Sequence, residues 1–131
     1  MDTLIRMSKR IHINNGELLA VCGERRYKLC DCKANIEVLE ELSTLSMIGG
    51  SKVERRYVTV LVTFDHSPNQ IDSSVDSVQF KGDAMRADGI YETIFLPRCL
   101  LTSEWDPEMK NSCTFEAQCS FEQVKALLTQ F

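Results

Sequence analysis

The sequence predicts a mainly β fold, on three observations. From Tyr27 onward a period of two puts Lys28, Cys30, Cys32, Ala34, Ile36 and Val38 on one side. Tyr27, Leu29, Asp31, Lys33, Asn35 and Glu37 fall on the other, which turns polar after Leu29. Val53 to Phe64 is rich in β-branched and aromatic residues, which suit a pleated surface. Glycine turn signals at Cys22-Gly23-Glu24 and Asp88-Gly89 punctuate the chain at hairpin spacing. A length of 131 residues fits one domain spanning 1–131.

In chain order, residues 1–14 read as an N-terminal arm, and Glu17 to Val21 as a short apolar strand closed by the Gly23 turn. The alternating strand from Arg25 follows. Residues 40–56 then read as one long loop. Leu39, Leu42 and Leu45 have the spacing of a helical turn, but Gly49-Gly50 is the signature of a loop tip. Both faces of Val58 to Phe64 carry apolar or Thr side chains, which predicts a central or sandwiched strand. Pro68-Asn69 and Asp72-Ser73-Ser74 mark a polar connection, and Val75 to Lys81 alternates weakly up to Gly82. Asp88-Gly89 leads into Ile90 to Leu96, which Pro97 is expected to stop. A strand from Cys99 to Trp105, a turn at Asp106-Pro107 and a strand from Ser112 to Cys119 complete the sheet. A helix over 120–129 ends it. Ser120 and Gln123 have capping-box spacing, and Phe121, Val124, Leu127 and Leu128 form one apolar face.

Composition narrows the function classes. Apolar residues make up 44% and charged residues 26%, so one core is within reach. A net charge of −4 argues against nucleic-acid binding, which rests on clustered positive charge. The basic pairs Lys9-Arg10, Arg25-Arg26 and Arg55-Arg56 are short and have acidic neighbours, as solvated faces do. The longest apolar run, Tyr57 to Phe64, falls far short of the roughly 20 residues of a spanning helix. The first ten residues lack the apolar core of a signal peptide, so the six cysteines are expected to stay reduced.

The chemistry-bearing residues do not assemble into a motif. His12 and His66 are the only histidines, and neither stands at metal-binding spacing with a carboxylate. His66 beside Asp65 lacks a partnered nucleophile. There is no phosphate loop and no nucleophile elbow. Glu40-Glu41 is an acidic pair without a matching partner. Cys30 and Cys32 share a strand side, but zinc sites take cysteines two to four residues apart on a tight turn. Buried thiols in a core-facing row suit that spacing better. The expectation is no catalytic residue, no cofactor and no metal site; an enzyme or metal protein built on the cysteines and His66 is the rival.

The strand order carries a resemblance. A short strand and tight turn lead to a long strand bearing Cys32-Lys33-Ala34-Asn35-Ile36-Glu37. A loop with Gly49-Gly50-Ser51-Lys52 leads to another ending at Thr63-Phe64, and Thr114-Phe115-Glu116-Ala117 lies near the C-terminus. This resembles the tail-tube proteins of bacteriophages and phage-tail-like particles, over 16–64 and more loosely 87–119. Cys32 stands where an aromatic residue is common in that family, and the terminal helix is a further departure. The resemblance implies a split β-barrel of two antiparallel sheets with a small flanking helix. It implies homo-oligomeric rings, hexameric in that family, that stack into a hollow tube and meet other tail proteins. Assembly would take place in the bacterial cytoplasm, and the mature protein would sit in the virion or particle. A tail terminator, neck, baseplate or other protein-binding module is the alternative. Within such a protein, 40–56 is the expected assembly loop. Leu42, Leu45, Met47 and Ile48 are apolar residues that a purely solvated loop has little reason to hold, and Arg55 and Arg56 stand at its base to meet a neighbour's acids.

Overall fold

The computed structural model describes residues 3–45, 50–64, 77–102 and 112–131. They form a mainly β fold of six strands and one helix: β1 (Thr3–Cys22), β2 (Arg25–Leu45), β3 (Gly50–Phe64), β4 (Ser77–Met85), β5 (Tyr91–Leu101), β6 (Ser112–Ala117) and α1 (Phe121–Gln130). Every pairing is antiparallel, in the order β1-β2-β3-β6-β5-β4, and β4 pairs back on β1 so that the sheet closes on itself.

The alternation decides what lies inside. Cys32, Ala34, Ile36 and Val38 of β2 stand beside Val58, Val60 and Val62 of β3, and all are buried. Phe115 of β6 and Phe80 of β4 fill the centre with their whole side chains. The predicted inner row of β2 differs at one residue. A bulge between the pairs Leu18↔Cys30 and Leu19↔Lys28 lets Leu29 turn inward and Lys28 outward, where it pairs with Asp31 at 2.7 Å.

Four boundaries differ from the sequence reading, each for a local reason. The N-terminal arm is the first half of β1, paired residue by residue with β2 from Thr3↔Thr44 to Ile13↔Ala34. Asn14-Asn15-Gly16, which imitates a turn, is a bulge within that strand. Residues 40–45 and 50–56, expected as loop with a helical turn, are the continuation of β2 and β3, in register to Leu45↔Gly50. The break in their period is another bulge, between Glu41 and Leu42. Pro97 does not stop β5: it lies where Leu96 to Cys99 oppose Phe80 to Val78, a bulge where no ladder N–H is needed. β6 ends at Ala117, two residues early. The turn at Asp106-Pro107 and Trp105 lie outside the described residues.

The terminal helix forms where predicted. Ser120 has extended backbone and its Oγ accepts the Gln123 N–H at 3.2 Å. The Gln123 side chain does not complete the capping box; its amide donates instead to the Phe95 carbonyl at 3.0 Å. Val124 and Leu127 are buried in the common core, and Leu128 is partly buried against it. Phe121 leaves that face: it is exposed, with the Arg56 guanidinium 5.1 Å above its ring.

Candidate assembly interface

Beyond the last β3–β6 pair, Val58↔Ala117, and the first β1–β4 pair, Asn15↔Asp83, the strands β1, β2 and β3 run on as a three-stranded ribbon. Its rows alternate in charge. Glu40 and Glu41 on the middle strand are buried, at 8% and 5% exposure. Glu41 stands between Arg6 and Arg55, and Glu40 between Met7 and Arg56. Arg10 and Glu37 form a salt bridge three rows further in.

The residues expected to carry assembly are therefore placed on paired strands. Arg55 and Arg56 stand opposite Glu41 and Glu40 in the β2–β3 register; Arg55 Nε donates to Tyr57 Oη at 2.6 Å, and the Arg56 guanidinium lies over the Phe121 ring. Leu42 and Leu45 occupy β2, opposite Val53 and Gly50. Met47 and Ile48 lie outside the described residues. The acidic pair at 40–41 that lacked a sequence neighbour stands opposite two arginines across the sheet, a relation set by register alone.

One edge of several strands has no partner strand among the described residues. Thr3–Asn14 of β1 pairs only with β2, Gly50–Tyr57 of β3 only with β2, and Tyr91–Leu96 of β5 only with β4. Helix α1 lies in the seam between the last two, touching Arg56 through Phe121 and Phe95 through Gln123. This feature was not read from the sequence, because an edge is a property of pairing.

The groups with chemical potential are spread out. His12 holds both ring nitrogens against amides, Nδ1 at 3.0 Å from Asn35 Oδ1 and Nε2 at 2.8 Å from Asn14 Oδ1. His66 lies outside the described residues. A cavity of about 440 Å³ is lined by polar groups including Asn15, Glu17, Asp31 and Asp83. Its floor is the contact of Gly16 with Gly82, where a Cβ on Gly82 would stand 2.6 Å from Ile13 Cγ2. Among the described residues no three His, Cys, Asp or Glu gather as a metal site. Among them, too, no helix is long and apolar enough to cross a membrane.

The cysteines differ in reactivity. The Cys32 thiol donates to Cys30, which holds Cys30 below the ordinary thiol value and pushes Cys32 well above it. Burial pushes Cys99 and Cys113 up to about 12 and Cys119 up to about 11. At pH 8 iodoacetamide is expected to alkylate Cys30 before Cys99 and Cys113, and Cys32→Ala to slow Cys30 by removing the donor. Peptide mass mapping over time checks both, and an unchanged Cys30 rate in the variant rules the hydrogen bond out. Because Cys99, Cys113 and Cys119 hold their protons more tightly when folded, their contribution to stability is whole below about pH 9. It is lost as the pH rises through 11 to 12.

No family model, no curated protein and no solved structure matches this chain.

Proposed function

We propose that the chain is a structural subunit that assembles with copies of itself into rings, stacked as the hollow tube of a phage tail or tail-like particle. The observation that carries the reading is the set of strand edges left without a partner strand among the described residues at one end of the sheet, those of Thr3–Asn14 and Gly50–Tyr57 above all. Unpaired edges present rows of N–H and C=O groups, which a neighbouring strand satisfies better than a small molecule does. The edges belong to different strands, so a contact between two of them is heterologous and closes into a ring when the rotation allows.

In this reading the fold is the split barrel of the tail-tube family. The ribbon side β1-β2-β3 and the side β4-β5-β6 are its two sheets, with α1 as the flanking helix in the seam. The ring is hexameric, as in that family, and its partners are further copies and other tail proteins. No catalytic group, cofactor or metal takes part. The subunit is made in the bacterial cytoplasm and ends in the particle.

Light scattering behind size exclusion, with negative-stain microscopy across a concentration series, tests this. Rings or tubes are expected as the concentration rises. A monomer or dimer at every concentration would sink the reading, and single rings that never stack would move the chain to a terminator or neck position.

A further inference from the structure

Two thiols that self-assembly does not use are brought together near the start of β2. Cys30 and Cys32 lie two residues apart and turn to the same side, Cys32 buried in the core and Cys30 half-buried against it. The Cys32 thiol donates a hydrogen bond to the Cys30 sulfur. Two residues of a strand span about 6.4–6.8 Å, and a disulfide joins Cα atoms about 4.4–6.8 Å apart. The span lies at the long end of that range, and the backbone around it supplies slack. The pairs Gly16↔Cys32, Glu17↔Asp31 and Leu18↔Cys30 form a short ladder with a bulge at either end, between Ile13 and Gly16 and between Leu18 and Leu19. Bulges bend a strand locally and recur beside reactive sites. Gly16 makes room for the inner sulfur: a Cβ there would stand 3.2 Å from Cys32 Sγ and 2.9 Å from the Cys32 carbonyl oxygen.

Access and reactivity give the two thiols different roles. β3 pairs with β2 only as far as Cys32↔Phe64, so among the described residues no partner strand lies on the β3 side of Cys30. The hydrogen bond from Cys32 favours the Cys30 thiolate, and Lys28 adds to it, which makes Cys30 the nucleophile. Cys32, 4% exposed, keeps its proton and waits in contact as the resolving thiol. Neither sulfur stands clear enough for a bulky reagent. Asp31 between them, with Glu17 opposite it, disfavours an anionic one. A small neutral peroxide meets neither obstacle.

We propose that Cys30 and Cys32 form a peroxide-reactive site that closes reversibly into a disulfide. The Cys30 thiolate attacks one peroxide oxygen; the S–O bond forms, the O–O bond breaks, and the departing hydroxide takes a proton from solvent to become water. The Cys32 sulfur then attacks the sulfur of the Cys30 sulfenic acid. The S–S bond forms, the S–O bond breaks, and hydroxide leaves with the Cys32 proton as a second water. Two electrons pass from the thiols to one peroxide, and an external dithiol returns them. The site stands whether or not the chain assembles with itself.

Treating the reduced full chain with hydrogen peroxide, blocking the remaining thiols and digesting with trypsin tests this. Lys28 and Lys33 bracket the pair, so both cysteines leave on the one peptide Leu29–Lys33. That peptide should lose two hydrogens at least about tenfold faster than Cys99 or Cys113 is oxidised, and dithiothreitol should restore it. In Cys32→Ser the reaction should stop at a Cys30 sulfenic acid that dimedone captures. A peptide that stays reduced while the buried thiols oxidise overturns the proposal. So does one that passes straight to sulfinic acid, or one joined to Cys113. These readings on the unaltered protein decide the matter if the variant does not fold.

Discussion

Replacing Phe115 by alanine is expected to remove about 3–5 kcal/mol of stability, the usual cost of emptying an aromatic side chain's place in a core. Phe115 has no exposed surface and stands opposite Val60 on β3 and Leu101 on β5. It belongs to β6, which at six residues is the shortest strand and the one that ties β3 to β5. A loss of that size is a large part of the roughly 5–15 kcal/mol that holds a small domain together. It should lower the melting temperature by roughly 10–20 °C. Phe121→Ala supplies the comparison, since that ring is exposed and touches Arg56 only from above. Equal losses in the two variants would mean that the interior is not where the burial pattern puts it.

The second large effect concerns assembly. Residues 42–54 can be replaced by Asn-Gly, which closes the Glu41↔Arg55 pair with a two-residue turn of the kind that suits the strand twist. The Glu40↔Arg56 and Glu41↔Arg55 register is kept, and the core rows from Val38 and Val58 inward are untouched. The shortened protein should stay folded by circular dichroism yet form no rings or tubes under the microscope. Polymerisation like the parent's would show that this end of the hairpin takes no part.

Much of the sheet was legible because its inner rows are uniform. Ala34, Ile36 and Val38 repeat with a period of two, and Val58, Val60 and Val62 do the same. The Gly23 and Gly89 turns stand where read, with φ of 60° and 86°. The terminal helix was equally plain from Ser120 and its apolar spacing. What escaped are the places where a bulge resets the period. Asn14-Asn15-Gly16 hides the first half of β1, Leu42 the end of β2, and Pro97 the continuity of β5. A bulge exchanges one local rule for a pairing across the sheet, and that pairing is not written in neighbouring residues. The same holds for the candidate interface. Arg55 and Arg56 were found by their charge, but their position opposite Glu41 and Glu40 emerges only from register, and the open edges only from the whole strand order.

The position of α1 after all six strands also sets a sequence of events. β1, β2 and β3 follow one another and can zip as soon as they are made, whereas Leu18 must wait for Phe80 before the ring of strands can shut. The helix that fills the last seam leaves the ribosome after everything it seals. Until then the nascent chain is an open sheet, with the cations on its outer strands Arg6, Lys9, Arg10, Arg55 and Arg56 standing guard against premature partners.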